Sequence, residues 1–260
     1  MARGRTRSVF VRRVGGGNER RRPDDLIVEE PLSIQLDGTL VATTMRTPGN
    51  DYELAAGFLH AEGMLGDATI DTVRYCADGS AAESQFNIVT VETGGRAPTP
   101  TPRLGSTSSS CGLCGSDAID ELTARLRPID AEPIDPLVLA DVADRVRGKQ
   151  ELFDKTGAVH AAAAFDATGT VLSVREDIGR HNAVDKVVGR MLLDGELPAA
   201  GLGLYVSGRA SFEIVQKAWA AGFGSVVSVS APSALAVETA EAGRLQLAGF
   251  IRNGEINIYS

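Results

Sequence analysis

The chain has 260 residues, of which 43% are hydrophobic and 23% charged, and its formal net charge is −8. That length allows one large domain or two small ones, and the composition is that of an ordinary globular protein, which excludes disorder of the whole chain. No apolar run approaches the roughly 20 residues of a membrane span; runs such as Ala161–Phe165 are far too short.

Charge is unevenly placed. Residues 1–22 hold eight Arg and one Glu, a local +7, so the remaining 238 residues carry −15. An acidic body argues against a nucleic-acid surface, and neither nucleic acid nor membrane is expected as a partner. The basic head lacks the apolar stretch of a secretory signal despite its Arg12-Arg13 pair, and reads as a disordered tail. The expected compartment is the cytoplasm. Three cysteines are too few, and odd in number, for a disulfide framework. Cys76 sits in an apolar alternation and reads as a small buried hydrophobe.

In chain order, Leu32, Ile34 and Leu36 alternate with polar residues, and Asp37-Gly38 turns the chain into Leu40–Ala42, the pattern of a hairpin. Asn50 followed by Glu53 has the spacing of a capping box and predicts a helix to about Gly63. Strands are expected at Thr72–Cys76 and Gln85–Glu92. Residues 94–110 are rich in Gly, Pro, Ser and Thr and predict a mobile loop that leads into Cys111–Gly115 (CGLCG). A helix starts near Ser116, and Pro128, Pro133 and Pro136 mark a boundary. The expected domains are therefore 1–22, the disordered head; 23–134, an N-terminal α+β domain containing the loop 94–115; and 135–260, an α/β core.

The second half alternates helix and strand: a helix near Leu137–Phe153, strands at Ala158–Phe165 and Val171–Val174, and a helix at His181–Leu193. A strand at Leu202–Val206 and a helix at Ser211–Ala221 with a Glu213–Lys217 pair follow. Val226–Val229, Ser233–Ala242, Leu245–Ile251 and Ile256–Tyr259 complete it. Such alternation predicts a three-layer α/β sheet.

Four segments could carry chemistry. Cys111 and Cys114 form a C-x-x-C, which suits a transferable sulfur held as a persulfide on one thiol and resolved by the other. The same pair could be half of a zinc site, but only two of about four ligands are then supplied. His160 opens a strand and reads either as an acid/base or as a hydrogen-bonded core residue. Residues 175–182 (REDIGRHN) join a strand to a helix, and Arg180 and His181 near a helix start suit an anion; a capped turn with a salt bridge fits equally. Ser207–Ser211 (SGRAS) follows a buried strand, where Gly208 permits close approach and Arg209 can meet a phosphate. Together these point to a polyanionic, nucleotide-like ligand.

The motifs TPGNDYELAAGFLHAEG (47–63), CGLCG (111–115), TGAVHAA (156–162), EDIGRHNAVDKVVG (176–189), SGRASFEIVQK (207–217), SAPSALAVETAE (230–241) and GFIRNGEINIY (249–259) resemble the FdhD family, the formate dehydrogenase accessory sulfurtransferases. The resemblance implies a homodimer with a cytidine-deaminase-like core. It implies a protein that accepts sulfur from a cysteine desulfurase and passes it to the molybdenum of bis(molybdopterin guanine dinucleotide), before that cofactor enters formate dehydrogenase. It makes Cys111 the persulfide carrier, with Cys114 assisting, and puts the guanine-dinucleotide contacts on Phe250, Ile251, Arg252, Asn253, Gly254 and Glu255. Arg180, His181 and Arg209 are further candidates for the phosphates. No zinc is expected: a deaminase-type site wants H-x-E ahead of P-C-x-x-C, whereas His160 is followed by Ala161-Ala162 and the C-x-x-C lies upstream. A cofactor chaperone that uses no thiol chemistry is the alternative.

Overall fold

The structure is a computed structural model and describes residues 4–16, 18–76, 81, 84–100 and 115–260. The basic head is not a disordered tail: β1 (Thr6–Gly15) and β2 (Asn18–Ile27) form an antiparallel hairpin in register from Thr6↔Ile27 to Gly15↔Asn18. Thr6, Val9, Val11 and Val14 favour extended backbone, Gly16 turns the chain at φ 59°, and Arg21 stacks 4.8 Å over the Phe10 ring. Arginine count had masked this β-branched pattern.

The expected hairpin follows as β3 (Glu30–Leu36) and β4 (Thr39–Arg46). Asp37 and Gly38 both have positive φ, 47° and 83°, the turn that matches the twist of the flanking strands. Helix α1 (Asp51–Ala61) starts where expected, but not by a capping box. Asn50 is left-handed at φ 58° and makes no side-chain cap. Glu53 turns away instead and pairs with Arg175. Strands β5 (Thr72–Tyr75) and β6 (Ile88–Glu92) complete a four-stranded sheet of order β4-β3-β6-β5, with β3 and β6 parallel. Leu32, Ile34, Val89 and Val91 pack from it onto Leu54, Phe58 and Leu59 of α1.

Beyond α2 (Gly115–Arg125), the single helix expected near Leu137–Phe153 is two, α3 (Pro136–Arg147) and α4 (Glu151–Thr156), because Gly148 ends the first. Asp135 caps α3 by accepting from Leu137 N at 2.8 Å. Next come β7 (His160–Phe165), β8 (Val171–Asp177), α5 (Arg180–Leu193), β9 (Gly203–Val206), α6 (Phe212–Ala221), β10 (Ser225–Ser228), α7 (Ala234–Gly243), β11 (Gln246–Arg252) and β12 (Glu255–Ile258). The six strands form one sheet of order β12-β11-β10-β9-β7-β8. Its side chains alternate as the pleat demands. Ala162, Ala164, Leu204, Val206, Val226 and Leu247 face the layer that holds α5, α6 and α7. Ala163, Phe165, Tyr205, Val227 and Ala248 face α3. This is the expected three-layer core.

The two sheets are joined through α1 and α5. A Cβ on Gly57 would lie 1.9 Å from the Asp185 carbonyl oxygen, and one on Gly189 would lie 1.8 Å from that of Glu53. The two backbones therefore touch, each glycine admitting the other helix.

Candidate functional site

Strand direction decides where the chemistry gathers. β9, β10 and β11 are mutually parallel. β8 runs the same way, because β8 and β9 both pair antiparallel with β7. The carboxyl ends of these four strands therefore share one edge with His160 at the start of β7 and with the first residues of α5, α6 and α7. In open α/β sheets this is the edge where ligand crevices form.

Backbone bonds lace the edge together. Ser230 N donates to Gly208 O at 3.3 Å, Phe250 N donates to Ser230 O at 3.2 Å, and Ser233 N donates to Ala210 O at 3.0 Å. The loops after β9 and β11, flagged by their Gly-Arg content, thus lie on one floor with the β10 loop between them. At about 4.8 Å per strand, β9 and β11 are roughly 10 Å apart.

The first cluster lies at the ends of β8 and β9. A Cβ on Gly208 would fall 3.4 Å from His160 Nδ1 and 4.0 Å from Arg180 Cδ, so Gly208 keeps the space between them open. Arg180 opens α5 behind Gly179, which offers no side-chain cap, and the Ser211 side chain does not cap α6. Arg180 Nε and Ser211 Oγ are shielded from water and have no hydrogen-bond partner. Two orphaned polar groups beside two helix N-termini, with Arg209 exposed nearby, fit an oxyanion: both can donate, and both helix ends carry partial positive charge.

His181 Nε2 lies 2.8 Å from Glu213 Oε2. The pair holds the Glu213 carboxyl below its ordinary range. This is a second correction: Glu213 pairs with His181 rather than with Lys217. Lys217 turns into the core, 2.7 Å from Asp185 and 3.6 Å from Glu62. Burial, then the charges of Arg180 and His181, push the His160 imidazole below its ordinary value, against an opposing pull from Asp177. His60, 3.0 Å from Ala220 O, is also lowered, chiefly by burial. A histidine whose folded pKa lies below the unfolded value of about 6.5 binds fewer protons folded than unfolded. Its contribution is complete above that value and is lost as pH falls below it. The urea midpoint is therefore expected to drop between pH 7.5 and 5.5, and the drop should shrink in His160→Gln. An equal drop in that variant would show that His160 does not contribute.

The second cluster is the β11–β12 hairpin. Phe250 is 49% exposed and sits at φ 56° where the register slips between Gly249 and Arg252. Arg252 pairs with Glu255 across the Asn253-Gly254 turn, and all four are exposed. Ile251 is 6% exposed and packs in the α3-side core, so it presents backbone rather than side chain to any ligand.

Several residues in the densest motif serve the frame. Glu176 accepts from Leu152 N and Phe153 N, both at 2.8 Å, and so caps α4 from another element. Asp177 takes Lys186 Nζ at 2.7 Å with both side chains 0% exposed. It also takes Thr47 N, Gly179 N and Asn182 Nδ2. Lys186 donates in turn to Thr47 O, and Asn182 to Met45 O. Arg46, likewise buried, grips Asp51 with two bonds of 3.1 and 3.0 Å. The bonds from Asp177, Lys186 and Asn182 to Thr47 and Met45 bridge 130 to 139 residues of sequence, and no local spacing signals them. Cys76 is buried as expected, 2.8 Å from Ser84 Oγ. Cys111, Cys114 and the expected loop from 101 onward lie outside the described residues. Among the described residues no group of three or more His, Cys, Asp or Glu could hold a metal, and no helix is long and apolar enough to cross a membrane.

Fold and site together define a three-layer α/β protein with Arg180, Arg209 and Arg252 gathered along one edge at its strand ends. The chain belongs to the FdhD/NarQ family, whose model matches residues 27–260. It is 47% identical to the sulfur carrier protein FdhD of Streptomyces avermitilis over 259 residues, which cover 96% of this chain and 92% of that one. It is 48% identical to the protein of the same name from Streptomyces coelicolor, with the same coverage. The solved structure of a proposed formate dehydrogenase accessory protein from Desulfotalea psychrophila has the same fold, with a TM-score of 0.80 at 21% identity, covering 99% of this chain and 98% of that one.

Proposed function

We propose that this protein is a sulfur carrier for formate dehydrogenase that works through a persulfide on Cys111. The observation that carries the reading is the match, 47% identical over 96% of the chain, to proteins named sulfur carriers. The thiolate of Cys111 attacks the outer sulfur of a cysteine desulfurase persulfide and expels the donor's thiolate. Cys114 then attacks Cys111, closing a disulfide and releasing sulfide at the acceptor, so the two electrons needed to reduce the carried sulfur come from the thiol pair. The acceptor is the molybdenum of bis(molybdopterin guanine dinucleotide), which binds as substrate at the strand-end crevice.

What supports that placement is the donor set. Arg180 Nε and Ser211 Oγ are orphaned, Arg209 and Arg252 are exposed, and Gly208 holds the approach open. The cations oppose a body of −15, so attraction is local and capture should weaken with salt.

Two experiments test the reading. After incubation with a cysteine desulfurase and cysteine, intact-mass spectrometry should find one added sulfur in the wild type and none in Cys111→Ala. Unchanged loading in Cys111→Ala would overturn the carrier assignment. Cys114→Ala should still load but fail to release, whereas a cofactor chaperone would keep its function without either thiol. Separately, calorimetric titration with GDP, a fragment of the cofactor, should show Arg180→Ala or Arg252→Ala losing about 1.5–3 kcal/mol, roughly ten- to a hundredfold in affinity. If Arg180→Ala, Arg209→Ala and Arg252→Ala all bind GDP as the wild type does, the crevice is not the nucleotide site.

A further inference from the structure

The His160 imidazole stands among charged neighbours without being bonded to any of them. Asp177 lies opposite it in the β7–β8 register. Both oxygens of Asp177 are taken, one by Lys186 Nζ and the Thr47 amide, the other by Gly179 N and Asn182 Nδ2. Glu213 of α6 is held by His181 of α5, 2.8 Å away. Arg180 opens α5, and Arg209 follows Gly208 with its side chain exposed. Among the described residues no hydrogen bond reaches the half-buried His160 ring.

The ring borders an open space. A Cβ on Gly208 would lie 3.4 Å from His160 Nδ1 and 3.5 Å from Cε1. The volume that any other side chain would fill therefore lies directly against the imidazole edge. Arg180 Cδ borders the same volume at 4.0 Å, and Arg180 Nε is shielded from water and has no partner. An unpaired guanidinium N–H and an unpaired imidazole thus flank one gap. The ring is pushed below its ordinary value by burial and then by the charges of Arg180 and His181, with Asp177 opposing. A phosphate in the gap would reverse that balance, because an opposite charge within about 4–6 Å favours the protonated ring.

We propose that His160 is a further ligand of the phosphate that Arg180 holds, and that it binds by taking up a proton from the solvent. The phosphate is that of the guanine nucleotide proposed above for this edge, and the role of His160 rests on that reading. In the empty state the neutral ring spares Arg180 a second cation at its side. In the occupied state an imidazolium makes a charge-assisted bond to the phosphate. Capture then carries a proton in and release returns it, so occupancy follows pH as well as concentration. Asp177 and Glu213 do not compete for the imidazolium, since Lys186 and His181 already engage them.

The test is calorimetric titration of the full chain with GDP at pH 7 in two buffers of different ionisation enthalpy, whose difference in heat counts the protons taken up. The wild type should take up about 0.5 proton or more per nucleotide, and its dissociation constant should rise about threefold between pH 7 and 8.5. That range lies above the second phosphate ionisation at about 6, so the ligand's own charge stays constant. His160→Gln should take up less than about 0.1 proton and bind with a constant that is flat over the same range. A wild type that binds GDP without proton uptake overturns the role of His160 and leaves the nucleotide site standing; this comparison needs no variant. Equal uptake by His160→Gln, shown folded by its urea midpoint at pH 7.5, assigns the proton to another group and overturns it as well. A wild type that does not bind GDP overturns both the nucleotide site and the role of His160.

Discussion

Replacing Gly57 or Gly189 with alanine is expected to cost about 3–5 kcal/mol of stability, the upper range for overpacking. The new methyl would stand 1.9 Å from the Asp185 carbonyl oxygen in one case and 1.8 Å from the Glu53 carbonyl oxygen in the other. Both obstacles are backbone, so no side-chain rotation relieves them and the helices must separate. Separation would pull Glu53 from Arg175 and strip contact from Leu54 and Phe58 beneath. At roughly 2–4 °C per kcal/mol for a chain of this size, the melting temperature should fall by about 10 °C. The double variant should cost less than the sum, because once one methyl has parted the helices the second finds room. Additive losses in urea melts would show that each glycine acts alone.

Asp177→Ala is expected to cost about 3–5 kcal/mol at pH 7, for a different reason. It strands the Lys186 ammonium, 0% exposed, with only Thr47 O at 3.0 Å. It also orphans the Thr47 and Gly179 amides and one donor of Asn182. Burial already pushes the Lys186 ammonium below its ordinary range, and Asp177 is what opposes that. Without the carboxylate the lysine loses its proton more readily in the folded state than in the unfolded one. The unfolded state then binds more protons, so stability rises with pH up to the unfolded lysine value of about 10.4. The deficit of Asp177→Ala measured at pH 9.5 should therefore be smaller than at pH 7. A deficit unchanged by pH would mean that the loss comes from the amides and not from the stranded charge. Lys186→Met, in which Asp177 keeps three other donors, should be the milder change.

What the sequence made legible follows range. The β3–β4 hairpin, the strands of the core and the helices α5 to α7 rest on periodicity and turn chemistry within a few residues, and they stand where expected. So does the gathering of Arg180, Gly208 and Phe250–Glu255 on one edge, because strand-helix alternation fixes which ends of parallel strands coincide. The misreadings were local inferences overruled from a distance. Glu53 had the spacing of a capping box but found Arg175, 122 residues away. Glu213 and Lys217 had the spacing of a helix pair but were drawn to His181 and Asp185. Glu176, crowded among charges near Arg180, turned out to cap α4. In the basic head, the Val and Thr alternation outweighed the arginines. A short motif dense in charge is thus ambiguous between a site and a joint, and in REDIGRHN the joint is plain: Glu176, Asp177 and Asn182 hold the frame, while Arg180 stands at the strand-end edge near Gly208.

The close seating of α1 on α5 also bears on how the molecule comes apart. The four-stranded sheet and the six-stranded sheet have separate apolar cores, a layout that often melts in two stages. Here the Gly57–Gly189 crossing, the bonds that tie Asp177 and Lys186 to Thr47, and the Lys217 cluster with Asp185 and Glu62 all span the seam. Neither half can loosen without exposing buried charge from the other. Calorimetry should therefore record a single transition whose van't Hoff and calorimetric enthalpies agree, and limited proteolysis should release no surviving fragment of either sheet. Movement between the halves is closed off by the same contacts, so the strand-end edge is backed by a fixed wall rather than a closing jaw.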